Sequence, residues 1–196
     1  MRDIILASAS PRRREIMDKL NLHYRIIVSN VREVMKEELP IEERIKDLAM
    51  QKALAVYKEH PEELVIGADT IVEIDGKILG KPHTMTEARE MLKLLSGRTH
   101  RVITGVAMIS KDHQYVDYDV TEVTFEYLSE VEIEKYIQTR EPYDKAGAYA
   151  IQGWASVFIS SIKGSYYTVV GFPLQDRKST RLNSSHTDSS RMPSSA

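Results

Sequence analysis

The sequence contains no cysteine, which removes several kinds of chemistry at once. Without thiols there are no disulfides, no cysteine nucleophile and no zinc site built on thiolates. The six histidines are scattered along the chain, and no two have the spacing of a zinc site. Hard cations held by carboxylate oxygens are therefore the main metal chemistry open to this protein.

The chain also has little net charge, and its first apolar run is short. Its 27 lysines and arginines nearly balance its 29 aspartates and glutamates, which leaves a net charge of −2. This balance gives no general attraction to nucleic acids or anionic membranes, so we expect neither as a partner. The first apolar run, at residues 4–7, is too short for a signal peptide, and we expect a cytoplasmic protein.

Composition divides the chain near residue 174. The 42% hydrophobic content of the chain suits one folded core, and we predict a single domain over residues 1–174. Residues 175–196 are rich in serine, and Leu182 and Met192 are their only large apolar side chains, so this segment cannot bury a helix face. Residues 177–196 resemble translated library-adaptor sequence. We predict a disordered, non-native tail in place of a closing helix.

An anion site is predicted near the start of the chain. The apolar run at residues 4–7 is typical of a strand covered on both faces, and Ser10 followed by Pro11 is typical of a helix start. Free N–H groups at that start, together with Arg12 and Arg13, favour an anion such as phosphate. The same pattern also occurs in a capped surface helix with solvated arginines.

Two further charged residues occupy informative positions. A helix predicted from Pro40 to about residue 60 carries Lys52 on its apolar stripe, so the ammonium must either meet an anion or extend to solvent. Glu33 follows a strand predicted at residues 24–28. Loops after strands often contribute to clefts in α/β folds, although an exposed loop glutamate is also common.

Asp69 is the central charge of a long hydrophobic strand predicted at residues 64–74. An unpaired buried carboxylate would be strongly unfavourable, so Asp69 should meet a cation, a metal ion or hydrogen-bond donors. Gly67 in the same strand permits close backbone approach. A hairpin turn at residues 75–76 returns Lys81 toward this strand, which makes a structural Asp69–Lys81 ion pair one of the alternatives.

The rest of the pattern predicts further helices and strands. Capping boxes pair Thr84 with Glu87 and Ser129 with Glu132, and each opens a helix. A strand is predicted at residues 101–109. The apolar positions of a second strand, at 116–127, change phase, which predicts a bulge near Thr121. Two more strands are predicted at residues 154–162 and 166–170.

Five motifs in order resemble the Maf family of nucleoside triphosphate pyrophosphatases over residues 1–174. Each motif is weak alone, but the set is specific. They are Ser-Ala-Ser-Pro-Arg-Arg at 8–13, Gly-Ala-Asp-Thr at 67–70, Leu-Gly-Lys-Pro at 79–82, Gly-Ala-Tyr-Ala-Ile-Gln-Gly at 147–153 and Val-Gly-Phe-Pro-Leu at 170–174.

The resemblance implies an α/β fold, with a twisted mixed sheet flanked by helices and two lobes around a cleft, related to inosine triphosphate pyrophosphatase. It implies a cytoplasmic homodimer that depends on Mg²⁺ or Mn²⁺. It also implies house-cleaning chemistry on nucleotides, in which cleavage between the α and β phosphates gives a monophosphate and pyrophosphate.

Site residues follow from the resemblance position by position. Asp69 matches the proton acceptor. Arg12, Thr70 and Gln152 match the positions that set base preference, and they resemble the branch that acts on dTTP and UTP. A triphosphate carries about four negative charges and needs several cations around it, while a divalent metal needs oxygen ligands. We expect phosphate binding by Ser8, Arg12, Arg13, Lys52 and Lys81, and metal binding by Glu33 and Asp69.

The expected reaction is metal-assisted attack of water on the α-phosphate. A free aspartate has a pKa of about 3.9, so direct activation of water would require a raised pKa, whereas a bound metal would remove that need. The sequence leaves both roles of Asp69 open. It also leaves two alternative functions: a sister-branch pyrophosphatase for 7-methyl-GTP or other non-standard nucleotides, and a non-catalytic inhibitor of septum formation in cell division.

Overall fold

A computed structural model of the protein describes residues 3–174. Its strands are β1 (Ile4–Leu6), β2 (Tyr24–Ile26), β3 (Leu64–Ile74), β4 (Lys77–Leu79), β5 (Thr99–Ile109), β6 (Gln114–Phe125) and β7 (Ile159–Lys163). Its α-helices are α1 (Pro11–Lys19), α2 (Ile41–Tyr57), α3 (Met85–Leu95), α4 (Glu130–Ile137) and α5 (Tyr166–Val170). Short 3₁₀ helices span Glu141–Asp144, Ala146–Ala148 and Trp154–Phe158.

The strands form one mixed sheet in the order β2-β1-β3-β5-β6-β7, with β4 paired to β3 outside this path. β1 pairs in parallel with β2 and β3, and the other pairings are antiparallel. Helices pack on both faces of the sheet, so the predicted α/β class is confirmed. Among residues 3–174, no helix combines the length and apolar character needed to cross a membrane.

Successive side chains of β3 lie on opposite faces of the sheet and pack against different helices. Val65 on one face packs with Ala49 and Ala53 of α2. Ile66 on the other face packs with Met17 of α1, and Val170 of α5 belongs to the same cluster. Because successive side chains of a strand point to opposite faces, Asp69 lies on the α2 side and Thr70 on the α1 and α5 side.

The end of β1 opens an edge of β3. The β1–β3 pairing ends with Leu6 opposite Ile66, and β4 meets the same edge only from Val72 onward. Within the described part of the chain, the edge of β3 at residues 67–71 has no partner strand on this side. The gap leaves backbone and side chains of β3 facing a cleft.

Gly67 allows α2 to approach this part of the sheet closely. A Cβ atom at Gly67 would lie 2.5 Å from the carbonyl oxygen of Ala49, which no side chain could tolerate. The prediction of close backbone approach at this glycine is confirmed. Lys52, three residues after Ala49, is thereby held above the sheet at the level of Asp69.

The predicted bulge near Thr121 is wrong. β5 and β6 pair without interruption through Val102 and Thr121, and the only register shift recorded for β6 lies at Thr124/Phe125, opposite β7. The phase change has a different cause, because both faces of β6 are covered. Val120 packs in the cluster of α2 residues, whereas Val123 faces the opposite core.

The predicted strands near residue 160 are only partly correct. Residues 154–158 form a 3₁₀ helix and β7 begins at Ile159, while residues 166–170 form α5 rather than a strand. Aromatic and β-branched side chains favour a strand locally, but tertiary anchors decide the conformation here. Thr121 accepts a hydrogen bond from the backbone N–H of Ser165, and Gly171 ends the helix with φ of 112°.

Other predictions are confirmed. β3 has the predicted bounds, and Ser129 and Glu132 form a reciprocal capping box. The tail predicted at residues 175–196 lies outside the described residues. The single domain predicted over residues 1–174 stays a prediction.

Candidate active site

A cavity of about 340 Å³ lies against the open edge of β3. Its walls come from the segment after β1, the start of α1, helix α2, the middle of β3, the loop before Tyr149 and the end of α5. Every predicted site residue except Gln152 lines it: Ser8, Arg12, Arg13, Glu33, Lys52, Asp69, Thr70 and Lys81. Residues far apart in sequence therefore meet at one cleft, as the α/β topology predicts.

Lys52 is the partner of Asp69. Its Nζ lies 2.5 Å from Asp69 Oδ1 and 3.2 Å from Glu33 Oε2. The side chains of Lys52 and Asp69 are 15% and 17% exposed. The prediction that Asp69 needs a partner is confirmed, and of the two alternatives for Lys52 its ammonium meets an anion rather than extending to solvent. The alternative Asp69–Lys81 ion pair does not form.

The two carboxylates at Lys52 have the donor chemistry that a divalent cation requires. Both Glu33 and Asp69 contact one ammonium group, so their oxygens converge on one corner of the cleft. Among residues 3–174, no group of three or more His, Cys, Asp or Glu side chains is placed to hold a metal ion. Mg²⁺ is commonly held by one or two carboxylates with phosphate oxygens and water completing its shell, and this pair fits that pattern.

Arg13 organises the opposite side of β3. Its guanidinium donates from Nε to the Gly171 carbonyl at 2.7 Å, from Nη1 to Ser8 Oγ at 3.0 Å and from Nη2 to Thr70 Oγ1 at 3.1 Å. Burial lowers the pKa of Arg13, and the negative charge of Asp69 opposes this shift. Arginine nevertheless stays protonated, so the buried charge is fixed.

Arg12 and Lys81 differ from the other cations of the cleft. Neither side chain forms a hydrogen bond or ion pair with residues 3–174, although both line the cavity. Ser10, the N-cap of α1, makes no side-chain capping bond. The cleft therefore offers two unpaired cations next to a helix N-terminus whose N–H groups are free to bind an anion.

Gln152 is not brought into the cleft with the other predicted residues. It is exposed, and its neighbour Ile151 lines the cavity instead. The chain approaches the cleft at this point, but the amide side chain is outside the lining.

The structure adds Asp144 and Lys145 to the cleft lining, and sequence reasoning gave neither a role. They form an ion pair, and the Lys145 side chain is only 13% exposed. Burial raises the pKa of Asp144, but the hydrogen bond and charge of Lys145 outweigh it and hold that pKa below its usual value. The available signal was Gly147: its φ is 70°, and a Cβ atom there would lie 2.9 Å from Val72 Cγ2, so this loop lies directly against β3.

A family profile and curated relatives of this chain both indicate the same protein family. A family profile described as Maf-like protein matches residues 3–180. The dTTP/UTP pyrophosphatase of Bacillus mycoides (strain KBAB4) is 51% identical over 174 residues, which cover 89% of this chain and 91% of that protein. The protein of the same name from Bacillus cytotoxicus is 50% identical with the same coverage.

Two solved structures are also similar. The Staphylococcus aureus Ham1 protein matches with a TM-score of 0.45 and 17% identity over 63% of this chain and 71% of that chain. Protein VC0702 from Vibrio cholerae matches with a TM-score of 0.37 and 14% identity over 70% of each chain.

Proposed function

The chain belongs to the Maf family, and we propose that it is a nucleoside triphosphate pyrophosphatase that converts dTTP and UTP into monophosphate and pyrophosphate. The observation that carries the proposal is Asp69, held 2.5 Å from Lys52 in a cleft that Arg12 and Lys81 also line. A carboxylate that can accept a proton thus lies beside cations suited to phosphate oxygens.

The charges of the cleft suit a triphosphate. Arg12 and Lys81 are available to phosphate oxygens, because no residue among 3–174 occupies their charged groups. Lys52 and Arg13 add positive charge that is already oriented by protein contacts. Preorganised cations of this kind stabilise negative charge without reorganising during the reaction.

In the proposed reaction, water attacks the α-phosphorus and its oxygen forms the new bond. The bond from that phosphorus to the α,β-bridging oxygen breaks, so pyrophosphate leaves and the nucleoside monophosphate remains. Asp69 accepts the proton of the attacking water in one form of the proposal. In the other form Asp69 serves as a metal ligand, and its contact with Lys52 fits either form.

Glu33 and Asp69 are the residues we propose to hold Mg²⁺ or Mn²⁺. When bound, such a cation neutralises phosphate charge and acts as a Lewis acid. Lys52 contacts both carboxylates and so holds them close together.

Pyrophosphate release from a nucleotide panel tests the proposal. The panel is dTTP, UTP, 7-methyl-GTP and ITP, each with and without Mg²⁺ or Mn²⁺. We expect dTTP and UTP to be hydrolysed roughly tenfold faster than the two purine nucleotides, and only with metal. Faster turnover of 7-methyl-GTP would assign the sister activity instead, and no release from any nucleotide would leave a non-catalytic role.

We also propose that the enzyme acts as a homodimer in the cytoplasm. Trp154 and Val157 support an interface, because their 74% and 77% exposure leaves large apolar side chains uncovered in the single chain. Light scattering during size-exclusion chromatography measures the assembly. A monomeric mass at micromolar concentration would contradict the dimer.

A further inference from the structure

Two hydroxyl groups in the cleft share one buried donor. Arg13 donates from Nη1 to Ser8 Oγ and from Nη2 to Thr70 Oγ1. Both hydroxyls line the cavity, one from the segment after β1 and the other from β3. Arg13 cannot accept a hydrogen bond, so its contacts fix the use of one lone pair on each oxygen.

Ser8 is left as a donor. Its oxygen accepts from Arg13 and also from the backbone N–H of Ser10 at 3.3 Å. Both lone pairs are then used, and the hydroxyl hydrogen has no acceptor among residues 3–174. Ser8 therefore presents a hydrogen to the cleft, which suits a phosphate oxygen.

Thr70 has the opposite hydrogen-bonding role toward the cleft, that of an acceptor, because of its contact with Thr104. The two threonines lie directly across from each other on β3 and β5, with their hydroxyl oxygens 2.9 Å apart. Thr104 is fully buried and donates to the carbonyl oxygen of Thr168 at 2.7 Å. A carbonyl can only accept, so the single hydroxyl hydrogen of Thr104 is committed there, and Thr70 must donate its own hydrogen to Thr104.

Thr70 can therefore only accept a hydrogen bond from a molecule in the cleft. One of its lone pairs receives Arg13 and the other remains. Phosphate oxygens are acceptors and do not match it. The matching group is an N–H or O–H of the substrate.

We propose that Thr104 is a positioning residue for base selection: it fixes Thr70 as an acceptor that reads the N3–H of uracil and thymine. This rests on the proposed function, in which the enzyme acts on dTTP and UTP. Those two nucleotides share N3–H, whereas cytosine has an unprotonated acceptor nitrogen at that position. The ribose 3′-hydroxyl occurs in all of these nucleotides and gives no basis for selection.

The test compares pyrophosphate release from UTP and CTP by four forms of the protein. In Thr104→Val the shape of the side chain is kept, but Thr70 loses its acceptor and is free to donate. We expect the UTP-over-CTP ratio of kcat/KM to fall roughly tenfold, the scale of one mismatched hydrogen bond in a closed site. Thr104→Ser retains the hydroxyl and should restore the wild-type ratio.

Thr121→Val is the matched control. Thr121 is also fully buried, lies on the neighbouring strand β6 and donates to a backbone carbonyl near α5, that of Ser165 at 3.0 Å. It makes no hydrogen bond to Thr70. Loss of a buried threonine anchor alone would act equally in both valine variants, so the control should keep the wild-type ratio even if its melting temperature falls.

An unchanged ratio in folded Thr104→Val would overturn the role of Thr104 and leave the proposed function standing. If that variant does not fold, wild-type turnover of N3-methyl-UTP decides the question: a loss of roughly tenfold or more against UTP supports the proposal, and a smaller loss overturns it. Absence of pyrophosphate release from UTP and dTTP by the wild-type protein would overturn both this inference and the proposed function.

Discussion

Asp69 and Thr70 are neighbours in β3, yet they belong to two different environments. Asp69 faces α2 and contacts the ammonium group of Lys52. Thr70 faces α1 and α5, where it contacts Arg13 and the hydroxyl of Thr104. The comparison shows how the two faces of one strand can differ: the α2 side carries the Asp69–Lys52 charge pair that we propose acts in the reaction, and the other side carries directed hydrogen bonds.

The two environments also differ in burial. Glu33, the second partner of Lys52, has a side chain that is 45% exposed, so the α2 side is partly open to solvent. Arg13 and Thr104 are 8% and 0% exposed, so the Thr70 side belongs to the core. Substitutions on the α2 side should therefore affect turnover more than stability, and those on the Thr70 side should affect stability as well.

The largest effect is expected for Asp69→Asn. This change keeps the size of the side chain but removes the carboxylate that we propose accepts the proton or binds the metal, so pyrophosphate release should fall roughly 100-fold or more. Asp75→Asn is the control, because Asp75 lies in the exposed turn of the same hairpin at φ of 52°, which asparagine tolerates. Near-normal turnover by folded Asp69→Asn would remove Asp69 from the chemistry.

A loss of stability should follow from Arg13→Lys on the Thr70 side. Lysine keeps the charge but cannot reproduce the three hydrogen bonds to Gly171, Ser8 and Thr70. We expect the free energy of unfolding in urea to fall by about 3 kcal/mol. The matched change Arg14→Lys, at the next and exposed position, should stay within about 0.5 kcal/mol of wild type. Equal stability of the two variants would contradict the difference between the sides.

The sequence predicted the α2 side better than the Thr70 side. Helical periodicity placed Lys52 inward, strand hydrophobicity placed Asp69 in a core, and the cost of isolated buried charge brought the two together. The hydrogen-bond partners of Arg13 could not be predicted from such patterns. Its shortest hydrogen bond is to Gly171, which is 158 residues away and ends a helix whose aromatic and β-branched residues favour a strand. The hydroxyl polarity depends on that helix, because Thr168 belongs to it.

The pH dependence of stability should also arise from a residue on the same face of the sheet as Thr70, namely His100. His100 of β5 is buried against Phe125 and Tyr149, and burial lowers its pKa from 6.5 to about 4. The unfolded chain then binds the proton more readily, so the stabilisation is complete above pH 6.5 and is lost as pH falls toward 4. Between pH 7 and pH 5 the contribution of His100 should fall by about 2 kcal/mol.

Urea unfolding at both pH values measures this contribution. His100→Gln retains a group that can hydrogen bond to the Tyr149 hydroxyl but does not titrate, so its stability should depend less on pH than that of wild type. His83→Gln changes an exposed histidine and should retain the wild-type dependence. If His100→Gln showed that dependence as well, His100 would not be its source.

The smallest effect is expected for Lys81→Ala, which tests the phosphate binding that we propose for this lysine, a residue of neither the Asp69 side nor the Thr70 side of β3. Lys81 lines the cleft and forms no ion pair with residues 3–174, so its removal should raise KM about tenfold while the free energy of unfolding stays unchanged. Lys77→Ala on β4 removes an exposed lysine of the same hairpin that does not line the cavity, and should change neither quantity. A loss of stability in Lys81→Ala, or an equal rise in KM in both variants, would show that Lys81 acts through the fold or through general electrostatic attraction rather than by direct contact with phosphate.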